Sequence, residues 1–212
     1  MLKKQQLYLQ LKQDIQQGIW PAGIQLTQQQ LAEHYAVSRI PVRDVMQQLQ
    51  AEAWLIPYGK AGLMVPPLTA VEAEELYQIR LQLEPMALQL AVPHLNFSQL
   101  GQAEDLLMQI TRRPDASLFE RGELNWQFHL LLYQPCQRPH LLRMLTGLHQ
   151  QVARYLGFQE QAMDYSDISH QEHWQLIELL RQNKPDAAAE LLYQHIAKAG
   201  ELLVQHLQLH PA

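Results

Sequence analysis

Two arginines four residues apart, Arg39 and Arg43, stand at the start of an apolar-periodic segment, so both project from one helical face beside the partly positive amino end of that helix. Such a pair can give bidentate hydrogen bonds to guanine edges in a major groove. Solvated first-turn arginines are the other meaning of the same spacing. Gly59 and Lys60 fall at a turn between two short apolar runs, which suits close backbone approach to a duplex and a phosphate or minor-groove contact. A second chemistry lies farther along. Nine of the ten histidines follow residue 68, and among them Asn125 and His129 are four apart while His173 and His195 fall near the middle of two later helical segments. Three neutral imidazoles and an amide oxygen suit a borderline divalent ion, Zn²⁺ or Ni²⁺, with a position left open for a ligand or water. A histidine on a helix is ordinarily a surface or hydrogen-bonded residue, and His34, His94, His140, His149, His170 and His206 are read that way. Arg80, flanked by Ile79 and Leu81, needs an anionic partner if buried, and Glu84 one turn on can supply it as an internal ion pair.

The elements that must position these groups follow from punctuation and period. Leu7, Leu11 and Ile15 recur at helical spacing until Gly18 and the WPAG turn at 20–23. A second helix opens at Thr27, where TQQQ reads as a capping box, and runs through Leu31, Ala32 and Tyr35. A third opens at Ser38 and carries Val42, Val45, Met46 and Leu49 to about Ala53; WLIPYGKAGLMVPP then reads as a hairpin. After Pro67 the strand signal does not return. Helical patterns follow at 69–92, with Thr69 and Glu72 as a capping box, and at about 98–111, 116–134, 139–158, 166–182 and 186–207. The expected fold is mainly α: a winged helix-turn-helix over residues 1–67, with three helices and a two-stranded wing, then an all-α six-helix bundle over 68–212.

Charge follows the same division. The formal net charge of the 212 residues is −5, which for the whole chain argues against nucleic acid. Residues 1–68 hold six Lys or Arg against four acids, a net of +2, and the remainder holds −7. Composition that is 47% hydrophobic and 17% charged excludes collagenous and broadly disordered chains. A single cysteine, Cys136, excludes an internal disulfide. The start MLKKQQLYLQLKQDI lacks a signal peptide's apolar run, and polar residues break every apolar stretch; a cytoplasmic protein without a membrane partner is expected.

The segment QLTQQQLAEHYAVSRIPVRDVMQQLQAEAWL resembles the helix-turn-helix of the GntR family of bacterial regulators, most specifically in Val-Ser-Arg-x-Pro-Val-Arg at 37–43. The resemblance implies that Ser38, Arg39, Ile40, Pro41 and Arg43 lie at DNA-contacting or helix-starting positions and that Gly59 is the wing-tip glycine. Three departures bear on the target sequence: Gln29 where relatives often carry a basic residue, Ile40 where Thr is common, and Ala53 where the third helix usually ends in Gly. ELYQIRLQLEPMALQLA at 75–91, NWQFHLLL at 125–132 and SHQEHWQLIELL at 169–180 resemble the ligand-binding domain called FCD, of the FadR-type branch and its six-helix, VanR-like, metal-binding subgroup. Its metal-binding members carry Asp or Asn-x-x-x-His and two further histidines 44 and then 22 residues on, which is the register of His129, His173 and His195. Asn125 in place of the commoner Asp removes one negative charge. The matching arginine in that family faces the pocket, which makes Arg80 a partner for the carboxylate of a small organic acid, with Tyr77 and Trp174 as further lining residues or simple core.

The reading that results is a ligand-responsive regulator, a repressor by the family's commoner mode, binding a pseudo-palindromic double-stranded DNA operator as a homodimer. Two alternatives stand beside it. One is a metal-dependent hydrolase in the bundle, against which Glu172 is expected to point to another helix face from His173 and so to supply no general base. The other is a metal-free sensor of an acyl thioester.

Overall fold

The computed structural model describes residues 4–59, 62–113, 115–162 and 166–210, so Lys60 lies outside the described residues. The chain divides after Thr69 into two compact units.

In the amino-terminal unit, α1 (Lys4–Gln16), α2 (Gln28–His34) and α3 (Arg39–Ala51) are followed by β2 (Ile56–Tyr58) and β3 (Gly62–Met64). Each helix buries the stripe its period announces: Leu7, Leu11 and Ile15; Leu31 and Ala32; Val42, Val45, Met46 and Leu49. Thr27 and Gln30 form the reciprocal cap that opens α2, satisfying two otherwise orphaned donors. The wing has one strand more than the sequence suggests. β1 (Gln25–Leu26) pairs antiparallel with β3, which also pairs with β2, giving the order β1-β3-β2. Two residues are too short to carry a periodic signal, and pairing with β3 is what extends them. Buried polar groups tie α1 to the end of α3: Tyr8 donates to Glu52 at 2.6 Å, and the Lys12 ammonium lies 4.5 Å above the Trp54 ring. Asp14 accepts from Tyr35 at 2.6 Å, and Tyr35 accepts from the Trp20 indole at 2.9 Å. Burial, then Asp14, pushes the Tyr35 phenol above its usual range, so it stays a donor.

Among the described residues the second unit holds six α-helices: α4 (Ala70–Ala91), α5 (Phe97–Arg112), α6 (Leu118–Tyr133), α7 (Pro139–Ala162), α8 (Ser166–Arg181) and α9 (Pro185–Leu209). Reciprocal caps at Asn96 with Gln99 and Ser117 with Glu120 open α5 and α6. Leu76 and Leu88 of α4, Leu107 of α5, Phe128 and Leu132 of α6, and Leu192, Ile196 and Leu203 of α9 are buried. α4 and α9 approach closely because Gly200 has no side chain: a Cβ there would stand 2.6 Å from Cδ1 of Tyr77. Glu72, on the first turn of α4, accepts from Arg154 at 2.9 Å and from the Tyr155 hydroxyl, which fixes α7 against α4. Among the described residues no helix is long and apolar enough to cross a membrane.

Candidate metal centre and nucleic-acid interface

Three helices of the bundle each bring one histidine to the core: His129 from α6, His173 from α8 and His195 from α9, exposed by 2, 3 and 7%. One ligand nitrogen from each lies within 4.8 Å of the others, and the Nε2 atoms of His129 and His173 are 3.2 Å apart. Tetrahedral nitrogen ligands at about 2.0–2.1 Å from a metal are roughly 3.3 Å from one another, so this pair already has the spacing a shared ion requires. Burial pushes His129 and His173 well below the usual histidine range, with the electrostatic influence of neighbouring His195 next in effect on both. Neutral imidazoles are the form that ligates a metal. Asn125 is half-buried one turn ahead of His129 on α6, on the same helical face.

A layer of hydrogen bonds stands behind the rings. The Tyr133 hydroxyl donates to Glu84 at 2.7 Å and lies 3.2 Å from Nδ1 of His129. Burial, then Glu84, holds the Tyr133 phenol well above its usual pKa, keeping its proton for the carboxylate. Arg80 donates from Nε to Glu84 at 2.6 Å and stacks 4.6 Å above the Tyr77 ring. Burial opposes the guanidinium's charge, yet Glu84 outweighs it and raises the pKa. The Arg80–Glu84 ion pair is therefore present, as the spacing on α4 allowed.

Glu172 reaches a histidine on another helix. Its Oε2 lies 2.7 Å from Nδ1 of His195, which ties α8 to α9 beside the cluster. This leaves Nε2 of His195 as the nitrogen available to the cluster. It also engages the carboxylate with the opposite nitrogen, so Glu172 supports the His195 ring. Trp174 donates its indole N–H to His170 at 3.0 Å, and His170 also lies 3.0 Å from the Thr111 hydroxyl. His149, read from the sequence as a surface or hydrogen-bonded residue, stacks in parallel on Trp126 at 4.1 Å and contributes to the field at His129. Sequence reasoning missed Tyr133, Glu172 and this role of His149. Only Tyr133 carried a local signal, one turn beyond His129.

In the amino-terminal unit Ser38 is the extended N-cap of α3 and makes no cap hydrogen bond through its side chain. Ser38, Arg39, Ile40 and Arg43 are exposed and Pro41 is half-buried at this helix start. Ile40, 67% exposed, presents an apolar side chain beside the two arginines. Arg39 donates to Oε1 of Gln29 at 3.1 Å, and Gln29 in turn donates to Glu33 at 2.9 Å. Arg43 lies 3.4 Å from Asp44. Gly59 has φ +60° at the wing turn, the left-handed conformation glycine adopts without strain.

The family model for bacterial regulatory proteins of the gntR family matches residues 3–65, and that for the FCD domain matches residues 75–198. The Nta operon transcriptional regulator of Aminobacter aminovorans is 26% identical over 185 residues, covering 86% of each chain. A solved structure of E. coli McbR/YncC superposes with a TM-score of 0.76 at 23% identity over 97% of this chain and 99% of that one. A GntR family member from Pseudomonas syringae pv. tomato is 30% identical, with a TM-score of 0.59, over 98% of this chain and 88% of the other. With the reader in the first unit and the matched helical domain in the second, the chain belongs to the GntR family of bacterial transcriptional regulators, in the branch that carries an FCD domain.

Proposed function

We propose that this regulator is a repressor that binds a pseudo-palindromic operator as a homodimer and is released or retained by a small organic acid sensed in a metal-containing pocket of the bundle. The observation that carries the sensor half is the trio of buried histidines with two Nε2 atoms 3.2 Å apart. Asn125, His129, His173 and His195 hold the ion, with Zn²⁺ or Ni²⁺ favoured by the nitrogen-rich donor set. The bound ion would supply a positive centre for an acid's carboxylate. Arg80 is the second anchor: an incoming carboxylate competes with Glu84 for its guanidinium, with Tyr77 beneath it and Trp174 as a further lining residue. The exchange alters DNA affinity only to the extent that the acid binds the operator-competent and incompetent arrangements differently.

On the DNA side, Arg39 and Arg43 read guanine edges, Ile40 suits a thymine methyl, and Ser38, Pro41, Gly59 and Lys60 set the helix start and the wing against phosphate. Elemental analysis of protein purified without chelators tests the sensor reading, with His129→Ala and His173→Ala beside it. About one equivalent of divalent metal in the wild type, lost from both variants, is expected. Wild type that holds no stoichiometric metal overturns the reading.

A further inference from the structure

The two outer histidines of the cluster are held from behind by different devices. His195 meets a carboxylate directly, through Nδ1 and Glu172 at 2.7 Å. His129 meets one through an intermediary, since Nδ1 faces the Tyr133 hydroxyl, which donates its own proton to Glu84. A carboxylate only accepts, so the proton between Glu172 and His195 sits on Nδ1. A hydroxyl that has committed its proton to Glu84 can only accept from His129, so that ring too carries its proton on Nδ1. Both rings then turn an unprotonated Nε2 toward the cluster. Which nitrogen of an imidazole is protonated is set by the hydrogen bond the other makes, and metal sites built on histidine depend on that support.

We propose that Glu172 and the Glu84–Tyr133 pair are positioning residues that fix His195 and His129 in the Nδ1–H tautomer, so that metal enters a site whose donor lone pairs already face it. The inference rests on the metal reading above and deepens it. His173 fits the same scheme: with a lone pair on Nε2 of His129 only 3.2 Å away, the metal-free protein keeps the His173 proton on Nε2 as a donor to His129. A metal at the cluster would require this one proton on the other nitrogen of the His173 ring, and the remaining two rings would need no change. The direct arm has more effect than the arm that runs through a neutral hydroxyl, because a charged acceptor forms the stronger hydrogen bond.

Two-bond proton–nitrogen correlation spectra of the metal-free, full-length protein read the tautomers. Wild type is expected to show His129 and His195 as Nδ1–H and His173 as Nε2–H. Glu172→Ala should move His195 alone to the Nε2–H form, and Tyr133→Phe should move His129 alone. Zinc competition against a chromophoric chelator should weaken about ten- to hundredfold in Glu172→Ala and less in Tyr133→Phe. Glu172→Gln keeps an accepting oxygen, so it should retain the tautomer and recover part of the lost affinity, which a purely structural role for the side chain does not require. An Nε2–H form of His129 or His195 in wild type overturns the proposal, as do variants whose tautomers and zinc affinity match wild type. Wild type with the expected tautomers and no zinc uptake overturns the metal reading instead.

Discussion

The two units place their chemistry on opposite sides of their surfaces. The amino-terminal unit buries a network, with Tyr8, Lys12 and Glu52 locking α1 to the end of α3, and leaves its candidate DNA-contacting residues Ser38, Arg39, Ile40 and Arg43 in solvent. The bundle does the reverse: His129, His173 and His195 are buried, and hydrogen bonds to Tyr133 and Glu172 hold two of them. An exposed reader makes its energy with a partner that brings its own charge, so its residues need only a rigid helix under them. A buried site must satisfy every polar atom internally until its ligand arrives, so it needs a supporting layer. The difference predicts where substitutions hurt.

The largest separation comes from Arg43→Ala. Loss of a bidentate base contact costs about 1–3 kcal/mol, roughly ten- to hundredfold in operator affinity, while metal content and thermal stability stay at wild-type values. Quantitative band-shift titration beside calorimetry checks both halves, and unchanged operator affinity removes Arg43 from the reading face. Acid separates the units in the other direction. His129 and His173 have folded pKa values depressed by burial below the ordinary 6.5, so the stability they permit is complete above pH 6.5 and is lost as pH falls below it, where the unfolded chain gains protons. Between pH 7.5 and 5.5 the metal-free protein should lose about 1 kcal/mol per histidine. Urea denaturation of metal-free wild type across that window, against His173→Phe with one such group fewer, reads the effect; equal pH slopes contradict it.

A smaller effect belongs to Gln29. Its carbonyl oxygen holds Arg39, and its amide is held by Glu33, so this departure from the family's basic residue orients an arginine where a relative adds a charge. Gln29→Ala should reduce operator affinity a few-fold, about 1 kcal/mol, and, with Arg39 proposed as a base reader, relax selection at one operator position. Because no phosphate contact is removed, the salt dependence of binding should not change. Binding selections on randomised operators at two salt concentrations distinguish this from a phosphate contact, which would weaken all sequences alike.

The same contrast explains what was legible in the residues. The reader's motif is contiguous, so Arg39, Arg43 and the caps around them could be placed from spacing, as could the buried stripes of all three helices. The bundle's histidines come from three helices, and their convergence was available from the resemblance to a family register; helical period alone left them open. The supporting groups were less legible because they depend on inter-helix rotation: Glu172 neighbours His173 in the chain yet serves His195 on α9. β1 was missed for a related reason, since two residues become a strand only through a partner distant in sequence.

Backbone strain gives the finest test of the contrast. Both helix ends that frame the reader are closed by alanine in the left-handed region, Ala36 at φ +52° and Ala53 at +59°. In the bundle Asn183 takes the same conformation at +54°, and asparagine tolerates it better than alanine because its side chain can bond locally. The left-handed conformation costs an alanine roughly 1–2 kcal/mol, while glycine there gives back part of that gain through the larger entropy of its unfolded chain. Ala53→Gly should therefore raise stability by about 0.5–1 kcal/mol, seen as a higher urea midpoint at unchanged slope. The residue lies past the last turn of α3, away from the arginines, so operator affinity should hold. Destabilisation by Ala53→Gly would mean that the alanine methyl contributes packing worth more than the strain, and the reader would then be anchored by its buried side as tightly as the bundle is.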